Sequence, residues 1–103
     1  MLSIRLDRER EWWVPGRVFE RLFQSALENG QLRTDLSEWQ HVAEANGGIS
    51  LVDIEPAVAR SLTSGLRAAA SAELARLGDV EERPEGGTYK VSLEKLLLLS
   101  QEL

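Results

Sequence analysis

At 103 residues, with 43% apolar and 28% charged residues, the chain has enough apolar surface for one core but not for two, so a single soluble domain over residues 1–103 is expected and bulk disorder is excluded. Its longest apolar run, the four leucines at 96–99, is far short of the roughly 20 residues a membrane span needs. The net charge of −5 and the absence of cysteine weigh against nucleic-acid binding and exclude disulfides, thiolate metal sites and cysteine nucleophiles.

The first segment, "LSIRL", alternates Leu2, Ile4 and Leu6 with polar positions, the period of a half-buried strand. "DRERE" follows, then Trp12 and Trp13 side by side. In an extended chain adjacent side chains point to opposite faces, so one ring is assigned to the core and the other becomes a candidate partner contact. Trp13, nearer the helix that begins around Pro15, is expected to be the less exposed. From there Val18, Phe19, Leu22, Phe23, Ala26 and Leu27 fall on one helical stripe, closed by Asn29-Gly30.

A second helix is predicted in "TDLSEWQHVAEANGG", capped by Thr34 or Asp35, with Ser37 and Gln40 spaced as a capping box. Leu36, Trp39, Val42 and Ala43 form its apolar face, and the short link from the first helix makes the two an αα-hairpin. "ISLVDI", residues 49–54, reads as a brief strand or an extended lead-in. Asp53 is then expected to cap a long helix whose ridge runs Val58, Leu62, Leu66, Ala70, Leu74 and Leu77, with Gly78 as its stop. Gly65 within that helix costs about 1 kcal/mol relative to alanine, which predicts close approach of another backbone, within the monomer or, as the alternative, across a dimer.

In the tail, "PEGG" is a turn signal, "TYKV" reads as a strand, and "VEER" is a weak partner for it in a hairpin. Ser92 is the expected cap of a last helix, stapled by Val91 and Leu96. Four consecutive leucines cover more than half of that helix, so it either lies deep in the core or presents a second apolar face, at Leu98, to something outside the monomer. The assembled fold is α+β: about four helices with a small two- to three-stranded antiparallel sheet in which "LSIRL" pairs with "TYKV". A winged-helix arrangement fits the same element order and is the alternative, although the acidic "EERPE" is a poor wing for phosphates.

Few residues support chemistry. His41 is the only histidine and falls on the polar side of its helix, where it reads as a solvated side chain. No serine sits in a G-x-S-x-G elbow, "GGIS" and "EGGTYK" lack the register of a phosphate loop, and no acidic segment has the pattern of a calcium loop. An enzyme is therefore not expected, nor any cofactor or metal. The N-terminus has no apolar leader, which points to a cytoplasmic protein. The function expected is a small acidic protein-binding domain, an inhibitor or regulator of the immunity or antitoxin kind. Its expected partner-binding residues are Trp12, Trp13, Leu98 and the acidic Glu81, Glu82 and Glu85. The alternative is a homodimeric structural or small-ligand-binding regulatory domain.

Overall fold

Two short strands open the chain. In the computed structural model, which describes residues 1–77 and 84–101 and the side chains of all of these except 84–88, β1 (Leu2–Arg5) pairs antiparallel with β2 (Glu11–Val14). Asp7 closes the hairpin: its Oδ1 accepts the backbone N–H groups of Glu9 and Arg10 at 2.8 and 2.7 Å. β2 was not legible as a strand because, after Glu11, the next outward residue of its alternation is Trp13, so "WWV" shows no polar beat. On the inner face Ile4 lies opposite Trp12 and Leu2 opposite Val14. Trp12 is the fully buried ring, whereas Trp13 is 55% exposed, the reverse of the expected order. The reason is register: pairing with β1 puts Trp12 on the face carrying Ile4, and proximity to the next helix does not enter.

The third strand of the sheet is β3 (Gly48–Ser50), parallel to β1 with Ile4 beside Ile49, so the strand order is β2-β1-β3. The sheet is thus mixed, and the expected antiparallel partner "TYKV" is not in it. Gly48 has φ +148° and lies so close to β1 that an added Cβ would stand 2.9 Å from the Ser3 carbonyl carbon.

Four helices cover the inner face. α1 (Gly16–Glu28) buries Val18, Phe19, Leu22, Phe23 and Ala26, the stripe its spacing predicts. A turn of 3-10 helix, Thr34–Leu36, leads into α2 (Glu38–Asn46). Ser37 makes no side-chain cap bond, and Gln40 is buried, receiving the Gln24 amide at 2.6 Å and donating to Glu44 at 3.2 Å. The inward stripe is therefore Leu36, Gln40 and Ala43 with Trp39 partly buried, while Val42 is exposed.

α3 (Pro56–Leu77) buries Leu62, Gly65, Leu66, Ala69, Ala70 and Glu73. It begins at Pro56, a residue suited to the first helical position, so Asp53 lies in the preceding turn and is not its cap. Gly65 sits where α3 crosses the chain after α1: an added Cβ would lie 2.6 Å from the Gln31 carbonyl oxygen. The close approach inferred from the sequence is within the monomer.

The largest departure is α4 (Pro84–Ser100), one helix that takes in "TYKV". Tyr89, Leu93, Leu96 and Ser100, spaced i, i+4, i+7 and i+11, are all buried, so the helical period continues back through the segment and overrides its strand propensity. Ser92 is accordingly a buried mid-helix residue and not a cap, and Val91 is exposed while Leu96 is buried, so no staple forms. The winged-helix alternative fails with the strand it needed. Gly78 and "VEER", residues 80–83, lie outside the described residues. α4 packs along α3 and against β2, and a single apolar cluster joins residues from the sheet and all four helices. The fold is α+β, with no described helix long and apolar enough to cross a membrane.

Candidate functional site

The open edge of the sheet is set by hydrogen-bond alternation. The Ser3 N–H bonds Gly47 and the Arg5 carbonyl receives Leu51, so these residues turn their backbone toward β3. Leu2, Ile4 and Leu6 therefore face β2, and the Leu6 N–H reaches the Arg10 carbonyl at 2.8 Å. Opposite them, Arg10, Trp12 and Val14 bond to β1, which directs the backbone groups of Glu11 and Trp13 to the free edge. The Trp13 indole stands on the outer face in the row Trp13, Ser3, Gly48, beside two small neighbours. Ser3 Oγ donates to Glu11 Oε1 on the same face. The result is an exposed aromatic ring on a strand edge whose outward backbone groups have no partner among the described residues.

Trp12 has a different task. Its indole Nε1–H donates to the Ser92 carbonyl at 3.0 Å, which ties β2 to the middle of α4. It anchors the core and is not available to a partner. Leu98 is 67% exposed and shares an outward stripe of α4 with Val91, seven residues earlier. Glu81 and Glu82 lie outside the described residues, and Glu85 is placed by backbone alone, in the first turn of α4. The structure thus separates Trp13 from Trp12 and assembles no described acidic patch around them. His41 is exposed on α2.

A buried polar cluster joins α1, α3 and α4. The Glu73 carboxylate, 6% exposed, accepts the Tyr89 hydroxyl at 2.8 Å and Arg76 Nε at 2.7 Å. The Arg21 guanidinium lies over the Tyr89 ring, 3.9 Å from its centre. Burial acts to raise the Glu73 pKa, but hydrogen bonds from Tyr89, Arg76 and Ser25 and the Arg76 charge outweigh it and hold the carboxyl below its usual range. Burial pushes the Tyr89 hydroxyl well up, and its bond to anionic Glu73 pushes it further. A phenol that holds its proton this firmly, beside a carboxylate whose oxygens are engaged, is suited to fastening helices together.

A third feature is a groove of about 860 Å³ between α3, the last turns of α4 and Leu6. Arg60, Ser64, Arg67 and Ser71 line it from α3, and Leu97 and Gln101 face them from the C-terminal end of the described chain. Their spacing, i, i+4, i+7 and i+11, is the only sequence signal that could have found this stripe. Among the described residues no group of three His, Asp or Glu side chains is placed to hold a metal ion. No family model, curated protein or solved structure matches the chain.

Proposed function

We propose that this is a cytoplasmic binding module that captures another polypeptide as an added strand along β2, acting as an inhibitor or regulator of that partner. The observation that supports this reading is Trp13, 55% exposed on an edge strand whose outward backbone groups at Glu11 and Trp13 have no partner among the described residues. An open edge offers main-chain hydrogen bonds to any extended segment, and the indole supplies a rigid apolar anchor of the kind that dominates interface energetics. The surrounding charges are mixed: Arg5, Arg8 and Arg17 are exposed along with Glu9. Affinity is therefore assigned to backbone pairing and the ring, and its salt dependence is expected to be slight.

The test is selection of short peptides from a random displayed library against the folded protein. Selected peptides should shift the amide resonances of Glu11 and Trp13 and lose about 2 kcal/mol or more of binding on Trp13→Ala. Trp13→Pro should also block binding while preserving the fold, because it removes only an edge N–H that faces away from β1. Peptides that bind Trp13→Ala and Trp13→Pro as well as wild type would refute the proposal. A second reading, self-association through α4, is favoured by the exposed Val91 and Leu98 on one stripe.

A further inference from the structure

The groove beside α3 differs from the rest of the molecule in charge. The chain has seventeen acidic residues, yet among the described residues no carboxylate lines this groove, whereas Arg60 and Arg67 both do. Neither arginine is in an ion pair among the described residues; Arg10, Arg33 and Arg76 have carboxylate partners. Arg67 Nε is moreover sealed from solvent with no hydrogen-bond partner among the described residues. Of the described buried side-chain atoms only Gln31 Oε1 and Ser50 Oγ share that state, and Arg67 Nε alone among them carries charge. A buried charged donor left unsatisfied is costly, and it is satisfied by an acceptor arriving at the same edge of the guanidinium.

We propose that the groove binds a small organic anion, a carboxylate or phosphate head on an apolar body. The head group sits at Arg67. A guanidinium presents its Nε and one Nη as parallel donors, a fork that matches two oxygens of a carboxylate or phosphate. Binding requires the side chain to turn so that this fork faces the groove and the orphaned N–H gains its acceptor. Arg60, two helical turns away on the same stripe and about 10.5 Å along the axis, adds a second positive charge at the far end. Between them Thr63 and Ser64 supply hydroxyl donors, and Ser71 adds one a turn beyond Arg67. The apolar part of the lining is made by Leu6, Ala59, Ala68 and Leu97, with Gln101 beside Leu97. The volume of about 860 Å³ falls within the usual range for small-molecule sites. Apolar walls with a few convergent polar groups define an amphipathic ligand, for which inorganic phosphate lacks the body and a neutral alcohol lacks the head.

The site is tested by calorimetric titration of the full chain with octanoate, octyl phosphate, octanol and inorganic phosphate. At least one of the two amphipathic anions should bind, with octanol and inorganic phosphate about tenfold weaker or worse. Arg67→Gln and Arg60→Gln remove the charge while keeping a polar side chain; each should weaken the anion by about tenfold while leaving octanol unchanged and thermal unfolding within a degree or two. Co-sedimentation with phosphatidylglycerol vesicles distinguishes the source of the head group. Vesicle binding that needs Arg67 assigns it to a lipid in a bilayer, and free-anion binding without vesicle binding assigns it to a soluble metabolite. Absence of heat with both amphipathic anions, together with no vesicle binding, overturns the proposal. Binding that is unaltered in Arg67→Gln and Arg60→Gln overturns it as well. Trp13 lies on the outer face of the sheet, away from this groove, so Trp13→Ala should leave anion binding intact and the two proposals fail independently.

Discussion

Replacing Gly65 with alanine sets two effects of known sign against each other. Inside an exposed helix the substitution stabilises by about 1 kcal/mol, because alanine loses less backbone freedom on folding. Here the new methyl would stand 2.6 Å from the Gln31 carbonyl oxygen and 2.8 Å from Leu32 Cγ. Leu32 can change rotamer, but the carbonyl belongs to the backbone that leaves α1, where the Gln31 N–H is bonded to Ala26. Restoring an ordinary 3.4 Å contact from 2.6 Å means separating α3 from that segment by about 0.8 Å. Overpacking of this kind costs about 1–3 kcal/mol, and at such an approach to backbone the upper half of that range applies. The net expectation for Gly65→Ala is a loss of about 1–2 kcal/mol, a fall in melting temperature of about 4–16 °C for a domain of this size. Thermal and urea unfolding followed by circular dichroism measure it, with Ser64→Ala, exposed on the neighbouring position of the same helix, as a control expected to be neutral or slightly stabilising. A Gly65→Ala protein as stable as wild type, or more so, would refute the close crossing of α3 over residues 31–32.

The two tryptophans should separate cleanly in urea: Trp12→Phe should lose about 2–3 kcal/mol through the Ser92 hydrogen bond and the space vacated, whereas Trp13→Ala should stay within about 0.5 kcal/mol of wild type. The single tyrosine gives a direct optical test of the polar cluster. Because the folded pKa of Tyr89 is raised, its contribution to stability is complete below the unfolded value near 10 and is lost as pH rises beyond it; tyrosinate absorbance should appear only together with unfolding, and ionisation near 10 in a native protein would contradict the burial of the hydroxyl. Glu73 runs the other way: its folded pKa is lowered, so its contribution is present above the unfolded value near 4.5 and is lost as pH falls through the folded one, and Glu73→Gln should flatten that acid limb of a stability–pH profile. For α4, Leu98→Glu should leave stability within about 0.5 kcal/mol and convert any sedimenting dimer to monomer; a wild-type chain that stays monomeric at high concentration removes the self-association reading.

Elements with an uninterrupted stripe were legible from residues alone. The buried positions of α1 and most of the α3 ridge follow directly from apolar spacing, and Gly65 was readable because a glycine in a helix interior asks for a compensating contact. What failed was decided by partners distant in the chain. β2 could not be told from a linker because its outward residue is aromatic, and the burial order of Trp12 and Trp13 was settled by register against β1. "TYKV" carries strand propensity, but Tyr89 belongs to a stripe whose other members lie up to eleven residues later, and Glu73 and Trp12 hold that helix in place. Of the candidate site, the exposure of one ring and of Leu98 was foreseeable. The groove was not, since two arginines and two serines on an i, i+4, i+7, i+11 stripe look like any solvated helix face until the opposing wall is known.

The bond between Trp12 and Ser92 joins residues 80 positions apart and has a consequence for synthesis. At about 5–20 residues per second, the ribosome needs about 4–16 s to extend the chain from one to the other. During that interval the β1–β2 hairpin has no α4 to cover its inner face. Nor can it complete its sheet until β3 arrives, well after α1. Until α4 is made, Ile4, Trp12 and Val14, buried in the folded chain, lack the part of their cover that it supplies. The bond that ties β2 to α4 can therefore form only after residue 92 has been made.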